Sequence, residues 1–269
     1  MKKQCLYLVL TSVLTLSFFT GCSKEKVNVS ETKISETKVA ETETEVIETE
    51  VIETLVAETE VKGVPMSLSA DEQYEINIFL SNFSEQGFNM YNEVEKVVIT
   101  EDFHVDHANV NQMVQFAFDM YDINIGNELT FLDGGSSMAL TVDQVCGKVN
   151  RYFALNLTPE DVARCGYAKE GNYVKKPYAV GDSHPEFTIV SEMLDQGDGT
   201  YLAKFKIFVL EEAATGGNMV SDKSVYAMTE AEANTTAGVS YYGYGKAVVK
   251  PYQVNGKDSY QLISYKVIR

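Results

Sequence analysis

The chain has no tryptophan, three histidines, four cysteines and five prolines among 269 residues. So few histidines and cysteines leave little material for a metal cage or a disulfide framework. Cys5 and Cys22 fall in the first 22 residues, so only Cys146 and Cys165 serve the rest of the chain. They form no C-x-x-C pair, and no H-E-x-x-H stands anywhere. Neither a G-x-S-x-G nucleophile elbow nor a phosphate loop ending in Gly-Lys-Ser/Thr is present. Basic residues are scarce too: 22 against 39 acidic ones, a net charge of −17. That balance argues against nucleic acid or anionic lipid as a partner, because binding phosphate needs a basic patch. Long apolar runs are limited to Leu6–Phe19. Its length, about 14 residues, falls short of the roughly 18–20 that span a bilayer.

That run stands between Met1-Lys2-Lys3 and Phe19-Thr20-Gly21-Cys22. A basic head, an apolar middle and a small residue before a cut site make a secretory signal, here 1–21. Cysteine directly after the small residue resembles the lipobox of bacterial lipoproteins, although Phe19 stands where that family usually has an aliphatic. The resemblance implies diacylglyceryl attachment at Cys22 and cleavage just before it. Two acyl chains anchor a protein stably, where one holds it only marginally. The expected address is the cell membrane, lipid-anchored, on the extracytoplasmic face. The expected first partner is membrane lipid, through Cys22.

Residues 22–63 read as a linker. Six copies of apolar-x-Glu-Thr-x run from Val29 to Glu60, interrupted once at Thr44-Glu45. A period of five matches neither the 3.6 of a helix nor the 2 of a strand, so no apolar face forms. Residues 23–62 hold 11 Glu and 5 Lys. Few large apolar groups with a net charge favour a disordered, self-repelling tether. Its glutamates and alanines would support a weak helix, which its Thr, Val and Ile oppose.

Residues 64–269 are expected to form a single α+β domain, in which N-terminal helices precede an antiparallel sheet of about four to five strands. Ser69-Ala70-Asp71-Glu72 is a capping-box start, and apolar residues follow at helical spacing until Gly87. A second helix runs from Ala108 to near Asp122, and a third opens at Thr141. A short fourth opens at Thr158-Pro159 and stops at Gly166. The period then changes. Phe187–Leu194 and Thr200–Glu211 read as a hairpin, with Tyr201, Ala203, Phe205, Ile207 and Val209 on one face and Lys204 and Lys206 on the other. Lys246–Val254 and Lys257–Ile268 flank Asn255-Gly256, a strong hairpin signal. Pro251 places its strand at an edge or a bulge. Tyr173–Val180 adds a fifth strand. Helices followed by a meander make the α+β class. The stretch Glu72–Phe83 and the closing run Tyr244–Val267 are similar to an uncharacterised group of lipoproteins from Gram-positive anaerobes. The resemblance implies anchoring and a single globular module, with no activity to carry over.

The densest set of ligand-type side chains is Asp102, His104, Asp106 and His107. Histidine and carboxylate are the usual ligands of zinc-like ions. Asp106 equally suits the N-cap of the second helix, with His107 in its first turn, and capping is the favoured reading. No metal or other cofactor is expected. Cys146 and Cys165 can pair in an exported protein, or stay buried as small apolar residues. His184 is the one histidine outside the 104/107 pair, and neither thiol has a matched base. Two glycine turns, at Asp133-Gly134-Gly135 and Thr215-Gly216-Gly217-Asn218, carry no phosphate-binding signature. Tyr241, Tyr242 and Tyr244 are the ligand-binding candidates. Tyrosine offers rigid contact area with a polar tip, suited to sugar rings, yet it also fits half-buried sheet positions. The function expected is a cell-envelope binding or accessory module, taking wall glycan or an envelope protein. Its alternatives are a carboxylate-dependent wall-polymer hydrolase and an accessory protein docked on a membrane complex. No nucleic acid is expected.

Overall fold

A computed structural model describes residues 63–178, 185–211, 219–220 and 223–268. The signal, Cys22 and the repeats up to residue 62 lie outside the described residues. So do His184, the 215–218 turn and the end of the Tyr173–Val180 strand. Among the described residues, no helix is long and apolar enough to cross a membrane.

Helices and antiparallel sheets are mixed, as the α+β reading requires. The helices are α1 (Ala70–Ser84), α2 (Val110–Ile125), α3 (Val142–Tyr152), α4 (Pro159–Arg164) and α5 (Glu230–Thr235). The strands of the first half are short: β1 (Val64–Pro65), β2 (Tyr91–Asn92), β3 (Val97–Val98), β4 (Phe103–His104), β5 (Thr130–Leu132), β6 (Ser137–Thr141), β7 (Ala168–Glu170) and β8 (Tyr173–Pro177). Those of the second half are mostly long: β9 (Glu186–Asp195), β10 (Tyr201–Leu210), β11 (Met219–Val220), β12 (Lys223–Ser224), β13 (Val239–Val254) and β14 (Lys257–Ile268).

The sheet is larger than expected. It has six strands rather than four to five, in the order β1-β9-β10-β13-β14-β4. The two additions are two-residue pieces at its edges, too short for any periodicity to show. β8 does not join it: with β5, β6 and β7 it makes a separate four-stranded sheet. Helices and short strands also alternate through the first half, in place of an all-helical block.

Capping chemistry sets where most helices begin. Ser69 with Glu72, Thr141 with Gln144, and Thr158 with Asp161 each form a reciprocal capping box. A fourth box, Thr229 with Glu232, opens α5, which periodicity alone does not reveal in six residues. The central hairpin turns at Asn255-Gly256, both at positive φ, the geometry the dipeptide favours. β13 is bonded to β10 only as far as Val249, while its pairing with β14 runs on to Val254. Pro251 therefore sits where β13 has a neighbour on one side alone, as a residue without an N–H requires.

One face of the large sheet packs on α1, α2 and α3. Its core is aromatic: the Phe83 ring stacks on Phe116 at 4.6 Å and meets Phe88, Phe153 and Tyr265 within 5.7 Å, edge-on or tilted. Phe205 stacks on Tyr265 from the sheet. A smaller core on the opposite face joins Phe187, Ile189, Phe208 and Leu210 to Val225, Met228 and Ala233.

Among the described residues, the first half of β9 has no strand neighbour on one side, and α1 covers that edge. Asn77, Ser81 and Ser84 recur at i, i+4 and i+7 on that helix, and all are buried. Asn77 Oδ1 accepts from the Val190 amide at 2.8 Å, and Ser81 Oγ from the Thr188 amide at 2.8 Å. Ser84 Oγ accepts from the Thr188 hydroxyl at 3.0 Å. A polar helix stripe thus takes the place of a neighbouring strand and blocks edge-to-edge pairing.

Candidate functional site

Residues alternate across a strand, so the face of the large sheet opposite the aromatic core carries its own register. Glu192 on β9, Lys204 on β10, Lys246 on β13 and Lys266 on β14 stand directly opposite one another in a single row. The next row joins Lys206, Tyr244 and Ile268. The third pairs Phe208 with Tyr241, whose rings meet edge-on at 6.0 Å. The rows therefore grade from cationic through mixed to aromatic, ending where the smaller core begins.

A groove of about 290 Å³ runs over these rows, lined by Tyr241, Tyr244 and the four lysines. Tyr241 and Tyr244 are both half exposed. Tyr242 is the extra residue of a β-bulge, skipped between the Ile207/Gly243 and Phe208/Tyr241 pairs, and does not line the groove. Two of the three tyrosines expected to bind a ligand thus come together, and the third does not. The lysines came from alternation within one strand, Lys204 and Lys206. Lys246 and Lys266 join them only through cross-strand register, which a sequence does not print.

Three carboxylates stand around this groove. Glu192 lies 2.8 Å from Lys204, Glu230 2.5 Å from Lys206, and Asp102 3.0 Å from Lys266. They come from β9, the first residue of α5, and the segment before β4, so all three sit at the rim. The ammonium groups come from the strands in the middle.

The four metal-type candidates do not converge. Asp102 faces Lys266, and His104 pairs in β4 with Ser264 on an exposed edge. Asp106 is the N-cap of the 3-10 turn before α2, accepting from the Ala108 and Asn109 amides at 2.7 and 3.1 Å. His107 turns away to Asp161, at 3.1 Å. The Thr158 amide and hydroxyl, both bonded to Asp161, hold that carboxyl at about 2. Among the described residues, no group of three or more His, Cys, Asp or Glu is placed to hold a metal ion. Cys146 and Cys165 are free thiols, the first half-buried and the second buried. The Cys146 thiol is pushed up, by burial first and then by Asp143, Asp161 and Glu160. Such a group is a poor nucleophile.

Two half-buried carboxyls lie elsewhere. Glu85, the C-cap of α1, is raised to about 6 by burial, partly opposed by a 2.7 Å bond from the Tyr226 hydroxyl, with Glu186 adding like charge. Asp119 is likewise raised to about 6 by burial, against the pull of Lys176 at 2.7 Å. Glu93 holds the same ammonium at 2.8 Å. This triad ties β8 to α2 and to the segment after β2, and it is internal. No family model matches this chain, and neither a curated protein nor a solved structure does.

Proposed function

We propose that this chain is a lipid-anchored, extracytoplasmic lipoprotein of the uncharacterised Gram-positive group it resembles, held at the membrane through Cys22. Its folded part acts as a binding module of the cell envelope. The ligand surface is the outer face of the large sheet, with Tyr241 and Tyr244 as contact rings. The observation that carries this reading is the groove itself: two half-exposed tyrosines beside a row of lysines, on rigid central strands. A wall glycan suits it, since sugar rings lie on aromatic faces while their hydroxyls reach charged side chains. An envelope protein is the other class of partner for the same surface. At this groove the hydrolase reading finds no support, because each rim carboxylate is engaged with a lysine.

Two measurements test this. Sedimentation of the protein with isolated cell-wall material should show binding that Tyr241→Ala and Tyr244→Ala each weaken roughly two- to tenfold, the worth of one aromatic contact. Wild-type binding in both variants would remove the groove from the account. Cys22→Ser should release the protein or leave an uncleaved precursor. A membrane-bound variant of mature size would refute the anchor.

A further inference from the structure

Lys204, Lys246 and Lys266 stand directly opposite one another on three neighbouring strands, about 4.8 Å apart per step. Like charges placed so repel and work against the sheet. The folded part holds only 15 basic residues against 28 acidic ones, yet four of its lysines line one groove. Glu192 and Asp102 offset the two outer charges of this row, and what singles the groove out is the convergence of four ammonium groups on one strip of a strongly acidic domain. Resting on the reading of this surface as a glycan-binding face, we infer that its ligand is a linear anionic polymer, a polysaccharide or polyol chain bearing phosphate or carboxylate groups.

The grading of the rows says how such a chain lies. Its anionic groups follow the row Lys204, Lys246 and Lys266. Its carbon frame crosses Tyr244 and Tyr241 toward the apolar end. Lys206, beside Tyr244, supplies a charge between the two. The rim carboxylates do not block this. The pairs Lys204–Glu192 and Lys266–Asp102 are well exposed on both sides, and Lys206–Glu230 is partly exposed on both. Exposed pairs of this kind hold weakly and exchange readily for another anion. The acidic rim also sets the shape of the ligand. A thin chain enters between Glu192, Glu230 and Asp102, whereas a broad anionic membrane surface would meet those carboxylates first.

The test is calorimetric titration of the full mature protein with four probes: poly(glycerol phosphate), oligogalacturonate, neutral dextran, and vesicles containing phosphatidylglycerol. The expected result is binding of one or both soluble polyanions, weakening roughly tenfold between about 50 and 200 mM salt as counterions compete. Which of the two binds separates phosphate from carboxylate as the source of charge. The double variant Lys204→Gln/Lys266→Gln should lose roughly tenfold or more in affinity, and Lys204→Arg/Lys266→Arg should keep most of it, since charge is what matters. An unchanged melting temperature in both variants shows that the fold is intact. Dextran binding that is lost in Tyr241→Ala but untouched by the lysine variants would overturn the anionic ligand and leave the glycan face standing. Binding to vesicles alone would overturn it in favour of a membrane surface. Failure of every probe, together with no binding to wall material, would overturn both readings.

Discussion

The two faces of β10, β13 and β14 are written by alternate residues of the same strands and have opposite fates. Phe205, Ala247 and Tyr265 point into the aromatic core and are buried almost completely. Lys204, Lys246 and Lys266, each one step along its strand, face the groove. On the inner face the strands are held by packing, where every methylene counts. On the outer face the same backbone carries like charges that folding does not favour. Stability is concentrated on one side and chemistry on the other. Around the lysine row substitutions should therefore separate by face, whereas farther along β10 Phe208 and Leu210 are buried on the outer side in the smaller core.

The largest effect should come from the inner face. Phe83 is fully buried and stacks on Phe116. Phe83→Ala should destabilise by about 3–5 kcal/mol, the sum of lost transfer energy and the cavity left behind. Chemical denaturation of the variant measures this. A loss below about 1 kcal/mol would mean the core re-collapses and the aromatic cluster is not its centre.

Gly245 tests how closely the faces are spaced. It sits on β13 with its missing side chain directed inward. A Cβ there would lie 2.6 Å from the Phe205 ring and only 2.4 Å from the Lys266 carbonyl oxygen. A backbone oxygen cannot swing aside as a side chain can. Gly245→Ala should therefore cost about 1–3 kcal/mol through overpacking. It should also weaken ligand binding, because the displaced Lys266 backbone carries one of the groove lysines. Full stability in this variant would show that β13 and β14 shift apart freely.

The sequence shows one of these faces better than the other. The alternation of Ala203, Phe205 and Ile207 with Lys204 and Lys206 gives the two faces of mid-strand, but not the burial of Leu202, Phe208 and Leu210 on the lysine side. Asn255-Gly256 gives the pairing of β13 with β14. The capping pairs give the starts of α1, α3 and α4. What stays hidden depends on contacts between distant segments. β1 and β4 are two residues long and exist only because β9 and β14 offer them an edge. Tyr173–Pro177 is a strand, as expected, but its partner is β6, and no local signal says so. The lysine row needs register across three strands. Tyr241-Tyr242-Gly243-Tyr244 hides a bulge that removes Tyr242 from the groove. The stripe Asn77, Ser81, Ser84 has helical spacing, but only its bonds to Thr188 and Val190 show a helix face laid against a strand edge.

Where the faces meet, around the open edge of β9, the expected response is to pH. Glu85 on α1 accepts from Tyr226, which belongs to the 3-10 turn packed on the smaller core. Its carboxyl is raised from 4.5 to about 6, chiefly by burial. A raised carboxyl means that the folded state holds the proton more tightly than the unfolded chain. Between these two values the folded state binds more protons, so stability falls as pH rises from about 4.5 through about 6. Glu85 is half-buried, so the contribution is on the order of 1 kcal/mol after screening. Glu85→Gln keeps an acceptor for Tyr226 and should flatten that part of the stability profile. An identical pH profile in wild type and variant would show that Glu85 is well hydrated and that the two faces are not linked through it.

The smallest effect is expected at the outer edge. His104 pairs through its backbone with Ser264, and its side chain is exposed on β4. Lys204 is exposed on β10, with Glu192 as its partner. His104→Ala and Lys204→Gln should each change stability by no more than about 0.5 kcal/mol, the usual range for surface positions. Their consequences for binding should differ. Lys204→Gln removes a charge from the groove, while His104→Ala removes a ring that stands beyond the lysine row, toward Leu202 and Val248. Equal stability with unequal affinity would place the recognition in the lysine row. A melting temperature that rises with added zinc in the wild type, and not in His104→Ala, would overturn this, because a ligand bound only to the folded state stabilises it. It would move the functional edge of the sheet from Lys266 to the Asp102–His104 corner.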